Sequence, residues 1–407
     1  MSRSLKIAVD CRDVHIATTG TKTYLTELIA ALKTLQQTGG DHSLHTNEAQ
    51  NLVQDFELIL IEPLLGVMPG NRALSKLIRH LQFFWWKQIT LPILAFFKGA
   101  NILICTDYVT PIITPGFKTM VVFHDAFFWE YPQHYSRGWL RIFKWFAIAS
   151  AKKSISVIAP SKYAKNQIVH CTGIPAAKMS VVYEAPKTFA PSQSNAQSQT
   201  NPQAPAQPNS SPKIFAPYFL HVGTLAKHKN LVSLIEAFAL LVQKSSIDPA
   251  IKLVLVGGAP SSVHSNDEPN IKAAIQKHNL QNRVVLTGYV SSDAVANWYS
   301  GAMGYVFPSR NEGFGLPLLE AMCYKLPIIA ANNSCLPEIG QAAALYFDPN
   351  NAPQIAVLLE AIVNNTPAIV GALNTQSIVL QQFSWQKTAQ QFIQIADKGL
   401  NNAPKQA

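Results

Sequence analysis

The sequence lacks the features of a membrane-spanning, disulfide-bonded or metal-bound protein. Its longest apolar run, Leu91 to Phe97, is far shorter than the about 20 residues that a helix needs to span a bilayer. The first residues, SRSLKIAVD, carry charge too early for a signal peptide. The five cysteines are scattered and form no CxxC pair, so a reduced chain without structural metal is the simplest interpretation. These absences predict a cytoplasmic protein that is soluble or lies at the inner face of the membrane.

Acidic residues are also scarce, and the deficit is uneven along the chain. Residues 1–186 hold 19 Lys and Arg against 12 Asp and Glu, a balance of +7, whereas the remainder holds 14 against 11, a balance of +3. A basic N-terminal half favours an anionic partner, namely lipid headgroups, a lipid-diphosphate acceptor or nucleic acid. No nucleic-acid-binding motif is present, which disfavours the last of these.

The length of 407 residues, 48% of them hydrophobic, allows two full cores. Strands alternating with helices in both halves predict an α/β fold with two doubly wound sheets. Between the halves, residues 187–213 are rich in Gln, Asn, Ser and Pro, which is the composition of a disordered linker. We therefore expect an N-terminal domain over 1–186, a C-terminal domain over 214–384, and a closing helix and tail over 385–407.

The stretch 307–338, FPSRNEGFGLPLLEAMCYKLPIIAANNSCLPE, places a helix between two apolar strands. Pro317 suits the first helical position, where its missing N–H costs nothing. The two glycines of EGFG let the backbone approach a ligand closely. We therefore expect the N–H groups of Phe314, Gly315 and Leu316 at a helix N-terminus, where an anion such as a diphosphate binds.

Two carboxylates flank this predicted anion site. Glu312 lies in the same loop, and Glu320 lies about one turn into the helix. A carboxylate beside an anion site is unfavourable unless it holds a neutral, hydroxylated group such as a sugar or a ribose, so the combination indicates a sugar nucleotide. The alternative is a capping arrangement, since a Glu near a helix start is stabilised by the helix dipole without any ligand.

A second candidate for binding a diphosphate follows the strand predicted from Tyr218. The chain runs from that strand through Gly223 and Thr224 to the cations His228 and Lys229, and then enters a helix. Cations between a strand and a helix can neutralise a diphosphate leaving group. The alternative is a solvated run of charge.

Two residues of the N-terminal half also indicate a ligand site. Gly20 lies in a predicted loop between the first strand and a helix, which is how nucleotide-binding folds open, although one glycine is a weak signal. His124 ends a predicted strand, and the carboxyl ends of parallel strands are where such sheets place ligands. A lone histidine is nevertheless more often only hydrogen-bonded.

Residues 74–97 and 137–153 mix cations with clustered aromatic residues. The first segment contains Lys76, Arg79, His80 and Lys87 together with Phe83, Phe84, Trp85, Trp86, Phe96 and Phe97. Such a mixture is typical of a helix lying in a membrane interface. The alternative is that the aromatic rings pack into the core while the cations stay solvated.

Together these motifs resemble those of the family 4 retaining glycosyltransferases, over almost the whole chain outside the linker. Glu312 and Glu320 reproduce an E-x7-E spacing, and EGFGLPLLEAM with the later LPE is similar to the donor-site signature of the family. The segments GTLAKHKN, VVFHDAFFWEYP and WKQITLP are similar to further family patterns. Three residues depart from them: Lys22 in the glycine loop, His228 where arginine is usual, and Lys325 where glycine is usual.

The resemblance implies a GT-B architecture, in which two Rossmann-like domains face each other across a cleft. It implies that Lys229 and the amides of residues 314–316 stabilise the leaving diphosphate, that Glu320 holds the ribose, and that Glu312 holds the donor sugar. His124 would border the reacting sugar without acting as a nucleophile. The other implied donor-binding residues are Gly20, Gly223, Thr224 and His228.

The implied activity is retaining transfer of a mannose- or glucose-type hexosyl group from a nucleoside diphosphate sugar to a saccharide or lipid-linked acceptor, in cell-surface polysaccharide or glycolipid synthesis. No cofactor and no metal are expected, because Lys229 and the amides supply the charge. The expected partners are the donor, the acceptor and an anionic membrane surface, with no nucleic acid. Two alternatives are a sugar-nucleotide epimerase or phosphorylase, against which the E-x7-E motif argues, and a non-catalytic subunit, which the three departures favour.

Overall fold

The computed structural model describes residues 5–16, 20–39, 56–63, 73–187, 216–260, 262 and 264–401. The chain divides into two compact units: an N-terminal unit, Met1–Ala185 with Phe383–Ala407, and a C-terminal unit, Pro186–Gln382. The predicted linker lies outside the described residues beyond Lys187.

The N-terminal unit is built on one six-stranded sheet. Its strands are Leu5–Asp10 (β1), Phe56–Ile61 (β2), Ile102–Cys105 (β3), Lys118–Val122 (β4), Ser156–Ala159 (β5) and Met179–Val181 (β6). All are parallel, in the order β2-β1-β3-β4-β5-β6. Strands β3 and β5 are buried along their whole length, as expected for a parallel sheet that helices cover on both faces.

Helices connect these strands. They are Arg12–Ile16 (α1), Gly20–Gly39 (α2), Ala73–Trp85 (α3), Leu91–Phe97 (α4), Phe127–Glu130 (α5), Arg137–Lys153 (α6) and Lys162–Thr172 (α7). Between α3 and α4 the chain forms a π-helical turn, Trp86–Thr90. Helix α7 is capped by Ser161, whose hydroxyl accepts a hydrogen bond from the Ala164 N–H at 2.9 Å.

The C-terminal unit repeats the plan with a different strand order. Its strands are Tyr218–Val222 (β7), Lys252–Val256 (β8), Val284–Gly288 (β9), Gly304–Phe307 (β10), Ile328–Ala331 (β11) and Leu345–Phe347 (β12). They form a parallel sheet in the order β12-β11-β10-β7-β8-β9. The helices are Leu231–Val242 (α8), Glu268–Lys277 (α9), Ser292–Gly301 (α10), Leu316–Cys323 (α11), Leu336–Gly340 (α12), Ala352–Val363 (α13) and Pro367–Leu380 (α14).

The last helix, Trp385–Asn401 (α15), belongs to the N-terminal unit. It packs on α2, where the rings of Trp385 and Tyr24 lie 5.5 Å apart between centroids. The Thr388 hydroxyl also donates a hydrogen bond to the Tyr183 carbonyl at 2.7 Å. The C-terminal helix α15 therefore packs within the N-terminal unit.

Each sheet has one point where the strand order reverses. In the N-terminal unit it lies between β1 and β3, and in the C-terminal unit between β7 and β10. Doubly wound sheets bind ligands outside the carboxyl ends of the strands at such a switch point. We therefore expect ligand-binding side chains on the loops that follow β1, β3, β7 and β10.

The prediction of a glycine loop at Gly20 is wrong. Helix α2 begins at Gly20 itself, so Lys22 and Tyr24 lie in its first turns, while residues 17–19 lie outside the described ranges. A Cβ on Gly20 would meet nothing within 4 Å, and its φ is not positive. The local backbone therefore does not require a glycine.

Lys325, which stands where the family usually has glycine, follows α11 in a left-handed conformation with φ of +53°, a conformation that glycine adopts with less strain.

Within the described ranges, no single helix is long and apolar enough to cross a bilayer. Helices α13 and α14 reach the length and apolar composition of a bilayer span only when they are taken together, across a bend of 79°.

Candidate active site

Hydrogen bonds join the loop after β7 to the loops after β10 and β12. Asn230 adopts a left-handed conformation with φ of +56° at the start of α8. Its buried side-chain amide donates to the Pro308 carbonyl at 3.1 Å and to the Pro349 carbonyl at 2.7 Å. The Arg310 N–H donates to the His228 carbonyl at 2.7 Å. Both loops at the switch point are thus held in one arrangement.

Lys229 and Glu312 meet at this point. The Lys229 ammonium donates to Glu312 Oε1 at 2.6 Å, and each side chain is only 12% exposed. Burial alone would raise the pKa of Glu312, but the charges of Lys229 and His228 and the hydrogen bond from Lys229 outweigh it, so the pKa is lowered. Lys229 is therefore not part of a solvated charge run, and Glu312 is held as a carboxylate.

His221 lies beneath this ion pair. It is fully buried, and its Nδ1–H donates to the Val306 carbonyl at 3.0 Å. Its Nε2 atom has no hydrogen-bond partner among the described residues. Burial, with the Lys229 charge adding to it, lowers the pKa of His221 to about 4, so the imidazole is neutral at pH 7. A neutral ring keeps a second cation from competing with Lys229 for Glu312.

Gly223 and Gly257 make the space for this arrangement. A Cβ on Gly223 would lie 3.1 Å from His221 Nε2 and 3.5 Å from Lys229 Cε. Gly257, with φ of +138°, packs so closely that its Cβ would lie 2.0 Å from the Gly223 carbonyl oxygen. Thr224 follows, partly exposed, and its carbonyl accepts from the Ala226 N–H at 2.8 Å.

The start of α11 has the geometry expected of the glycine motif. Gly315 is the N-terminal capping residue, with φ of +91°, a conformation that glycine adopts without strain. A Cβ there would lie 3.0 Å from Leu336 Cδ2 and 3.3 Å from Phe307 Cε1. Phe314 precedes it and is buried, and Leu316 is the first helical residue. The anion-binding role of these three backbone N–H groups stays a prediction.

Glu320 lies further along α11 and is held by a tyrosine. The Tyr299 hydroxyl donates to Glu320 Oε2 at 2.9 Å. Burial raises the pKa of Glu320, and this hydrogen bond only partly offsets the rise. No second hydrogen bond to the carboxylate is seen among the described residues, so the contact orients Glu320 and leaves Oε1 able to accept from a hydroxyl group.

The switch point of the N-terminal unit is occupied by a buried lysine. The Lys87 ammonium, 1% exposed, donates to Asp10 Oδ2 at 2.6 Å and to Asp107 Oδ1. Asp10 is the last residue of β1, and Asp107 lies two residues beyond β3. The other oxygen of Asp10 accepts from Trp86 Nε1 at 3.0 Å and from the Arg12 N–H at 3.1 Å. The alternative in which the cations of this segment stay solvated therefore does not hold for Lys87.

The charges of this cluster depend on one another. Burial would lower the pKa of Lys87, but Asp10 and Asp107 outweigh it and raise that pKa. Burial raises the pKa of Asp107 to about 7. The charge of Lys87 opposes this rise, and the charge of Asp13 adds to it. Asp13 and Asp107 are both partly exposed, so two carboxylates face solvent beside a fixed cation.

The π-helical turn positions Trp86 and Lys87 at this site. Its defining bond runs from the Leu91 N–H to the Trp86 carbonyl, five residues back. The next residue, Gln88, ties the turn to the loop after β3, because its amide donates to the Thr110 carbonyl at 3.1 Å and accepts from the Ile112 N–H at 2.9 Å.

His124 lies two residues beyond β4, at the carboxyl end of the strand as predicted, and its ring is fixed on three sides. Its Nε2–H donates to the Thr106 carbonyl at 2.8 Å, and its Nδ1 lies 3.6 Å from Glu184 Oε1. The ring of Tyr24 packs edge-on at 5.0 Å. Burial would lower the pKa of His124, but Glu184 outweighs it and raises it. Both ring nitrogens face protein groups, which does not favour a nucleophile.

The structure groups most of the predicted donor-site residues together. Those after β7 and β10 are gathered at one switch point: Gly223, Thr224, His228, Lys229, Glu312, Phe314, Gly315 and Leu316. Glu320 lies in the same unit, on α11. Gly20 and His124 belong to the N-terminal unit.

Several residues of these sites were not foreseen. Glu184 follows β6 at the carboxyl edge of the sheet, so the argument used for His124 could have found it. Asn230 ends the GTLAKHKN segment, but no role was predicted for it. His221 and Tyr299 gave no signal, because Val306 and Glu320, to which they donate hydrogen bonds, lie 85 and 21 residues away in the sequence.

No group of three or more His, Cys, Asp or Glu side chains is arranged to hold a metal ion in the part of the chain that the structure describes. Metal independence stays a prediction.

Two family models match the chain, one in each half. Residues 18–185 match Glycosyltransferase Family 4, and residues 207–371 match Glycosyl transferases group 1. The E-x7-E motif lies within the second match.

Curated relatives are similar over about two thirds of the chain. The O-antigen chain mannosyltransferase B of Escherichia coli is 23% identical over 281 residues, covering 68% of this chain and 69% of the relative. The O-antigen chain mannosyltransferase RfbU of Salmonella typhimurium is 22% identical over 296 residues, covering 73% of each.

Solved structures match the fold over nearly the full length. A sucrose-phosphate synthase from Thermosynechococcus elongatus aligns with a TM-score of 0.66 at 18% identity, covering 97% of this chain and 98% of that one. Anabaena HepE in complex with UDP-glucose aligns with a TM-score of 0.61 at 17% identity, covering 97% and 99%. The predicted α/β GT-B class, with two parallel six-stranded sheets and flanking helices, is thereby confirmed.

Proposed function

Because the chain belongs to the family 4, group 1 glycosyltransferases, we propose that this glycosyltransferase moves a mannosyl group, with retention, from a nucleoside diphosphate sugar to a saccharide or lipid-linked acceptor in cell-surface polysaccharide synthesis. The names of the two curated relatives support mannose and a polysaccharide product. The observation that carries the proposal is the buried Lys229–Glu312 pair at the switch point of the C-terminal unit, beside the Gly315 helix start.

The donor diphosphate is proposed to bind at the backbone N–H groups of Phe314, Gly315 and Leu316. Lys229 is then within reach of it, and its ammonium has three donors, of which Glu312 takes one. Charge develops on the diphosphate as the glycosidic bond breaks, so a preorganised cation lowers the barrier. Glu312, kept ionised by Lys229, accepts hydrogen bonds from hydroxyl groups of the donor sugar.

Glu320 is proposed to hold the ribose hydroxyls. Its orientation by Tyr299 leaves one oxygen for that contact, and carboxylates are suited to accept from vicinal hydroxyls. His124 would border the reacting sugar through its ring edge or backbone, because both its nitrogens are engaged. Roles for Gly20, Gly223, Thr224 and His228 near the donor phosphates, and the absence of a metal requirement, belong to the same proposal.

The acceptor is proposed to bind at the N-terminal switch point. Asp13 and Asp107 present partly exposed carboxylates there, and Lys87 fixes the second of them. Carboxylates of this kind can orient an acceptor hydroxyl, which bonds to the anomeric carbon on the face from which the diphosphate leaves. A lipid-linked acceptor would place the enzyme at a membrane surface, which fits the basic N-terminal half.

The test is transfer from radiolabelled GDP-mannose or UDP-glucose to lipid-linked saccharide, with the anomeric configuration of the product read by NMR. Lys229→Met is expected to lower the rate by at least about a hundredfold, the size typical of losing one charge-stabilising donor. Lys227→Met, an exposed cation two residues away, is the matched control and should leave the rate unchanged. Equal activity of the two variants, or an inverted product, would refute the assignment.

A non-catalytic subunit is the second candidate, supported by Lys22, His228 and Lys325. It predicts that donor binds without turnover with any acceptor, whereas an epimerase or phosphorylase would turn over donor without glycosidic product.

A further inference from the structure

The N-terminal unit exposes a stripe of large apolar side chains along one helical segment. Leu81, Trp85, Ile89, Ile93 and Phe97 are all exposed, Trp85 by 63% and Phe97 by 81%. They follow one another at intervals of four residues through α3, the π-helical turn and α4. Monomeric soluble proteins rarely expose contiguous apolar surface of this kind without a partner.

The π-helical turn keeps these residues near one line. In an α-helix of 3.6 residues per turn, each step of four residues overshoots a full turn by about 40°. A π-helical turn contains more residues per turn, so a four-residue step across Trp86–Thr90 falls short of a full turn and reverses part of that drift. The inserted turn therefore maintains the stripe.

The segment is apolar on its outer as well as its inner side, unlike an ordinary surface helix. Its inner side contains Lys87, buried with Asp10 and Asp107, together with the buried Trp86 and Leu91. Its outer side carries the Trp, Ile and Phe side chains of the stripe. An ordinary surface helix would carry polar residues on this outer side.

Neighbouring elements extend the apolar surface. The rings of Phe84 and Phe146 lie 4.7 Å apart between centroids, so α6 packs beside α3. Next to this contact, α6 exposes Ile142 and Trp145, the latter by 62%. Ile113 is exposed on the loop that Gln88 holds through the Ile112 N–H. We call the stripe with Ile113, Ile142 and Trp145 the aromatic–basic face.

The charge around this face is almost entirely positive. Residues 63–183 contain 14 Lys and Arg but only three acids, Asp107, Asp125 and Glu130. None of the three lies on α3, α4 or α6. The exposed cations Lys98, Arg141 and Lys152 belong to α6 or directly follow α4.

We propose that the aromatic–basic face binds the interface of an anionic lipid bilayer. Aromatic and aliphatic side chains would enter the headgroup region while the cations remain at the charged surface. A symmetric contact with a second copy would bring the same cations of both copies together, so charge favours the lipid. The proposal deepens the proposed function and rests on it only for the lipid-linked acceptor.

The experiment is flotation of the full chain with vesicles of phosphatidylcholine alone or mixed with phosphatidylglycerol. The wild type should bind the anionic vesicles and be released by salt, because screening weakens the charge attraction. Trp85→Ser/Phe97→Ser should lower partitioning by about a hundredfold, since burying each side chain is worth roughly tenfold or more. Arg141→Gln/Lys152→Gln should lower it by about 25-fold, at about fivefold for each cation.

Ile378→Ser is the matched control, because Ile378 is 63% exposed but lies in the C-terminal unit; it should bind like the wild type. Unchanged binding of Trp85→Ser/Phe97→Ser, or no binding of the wild type to anionic vesicles, would overturn the proposal. A dimer in solution that Phe97→Ser dissociates, without vesicle binding, would assign the face to a second copy instead. The assay uses neither donor nor acceptor, so its outcome is distinguishable from a failure of the transferase assignment.

Discussion

Replacement of Lys87 by Met tests whether the buried ion cluster organises the N-terminal unit. Methionine retains an unbranched apolar stem, so packing along the π-helical turn changes little, but the ammonium is removed. Asp10 keeps its hydrogen bonds from Trp86 and the Arg12 N–H, whereas Asp107 loses its cation.

The magnitude follows from leaving a buried charge without its partner. Removing one member of a buried ion pair destabilises a protein by about 3–5 kcal/mol. The remaining hydrogen bonds to Asp10 place Lys87→Met at the lower end, near 3 kcal/mol at pH 8. Lys98→Met, an exposed lysine just beyond α4, should change stability by less than about 0.5 kcal/mol.

The destabilisation should also depend on pH. The pKa of Asp107 is already raised to about 7 in the presence of Lys87, and without the cation it must rise further. When the pKa of a carboxyl group is higher in the folded than in the unfolded state, the folded protein loses stability as the pH rises from the unfolded to the folded pKa. The difference between wild type and Lys87→Met should therefore be small at pH 5 and largest at pH 8.

Urea unfolding followed by tryptophan fluorescence is a suitable assay, because six of the seven tryptophans lie in the N-terminal unit. Adding Asp107→Asn to Lys87→Met should recover part of the loss at pH 8, since the unpaired charge is gone. A Lys87→Met protein as stable as Lys98→Met at pH 8 would refute the account of the cluster.

Three further predictions concern the C-terminal unit. Gly257→Ala should lower the free energy of unfolding by at least about 2 kcal/mol, because the new Cβ meets the Gly223 carbonyl at a positive φ. Gly371→Ala, in open space on α14, is the control and should raise the free energy of unfolding by about 0.5–1 kcal/mol. Equal melting temperatures of the two variants would contradict this. Lys325→Gly should raise stability by up to about 1 kcal/mol by relieving the left-handed conformation, and a lower melting temperature would contradict it. His228→Arg should strengthen donor binding, because arginine presents a permanent charge and parallel N–H donors to a phosphate; unchanged or weaker binding by calorimetry would argue against a phosphate role for His228.

Local signals in the sequence were sufficient for the frame of both sheets. The strands at 56–61, 102–105 and 328–331 coincide with short apolar runs between turns, and such runs suffice to specify a buried strand. Pro317 predicted the start of the following helix to within one residue, since α11 begins at Leu316, whereas the positive φ of Gly315 was not predicted.

Contacts between distant residues could not be read in the same way. Lys87 has the sequence context of a solvated cation, and only the fold brings it to Asp10, 77 residues away. The π-helical turn has no periodicity of its own over five residues. At Gly20 the expectation of a loop failed because glycine, although unfavourable within a helix, is tolerated at its first residue.

The most direct test of the account is whether a nucleotide sugar binds at the C-terminal switch point. Thermal unfolding is measured for wild type, Glu320→Ala and the matched control Glu360→Ala, with GDP-mannose, UDP-glucose or ADP-glucose. Glu360 is a partly exposed partner of Lys244 on α13. At a hundred times its dissociation constant a ligand stabilises by about 2.7 kcal/mol. The account predicts this shift with one donor for wild type and Glu360→Ala, and its loss in Glu320→Ala. No shift with any donor, or an equal shift in Glu320→Ala, would contradict it.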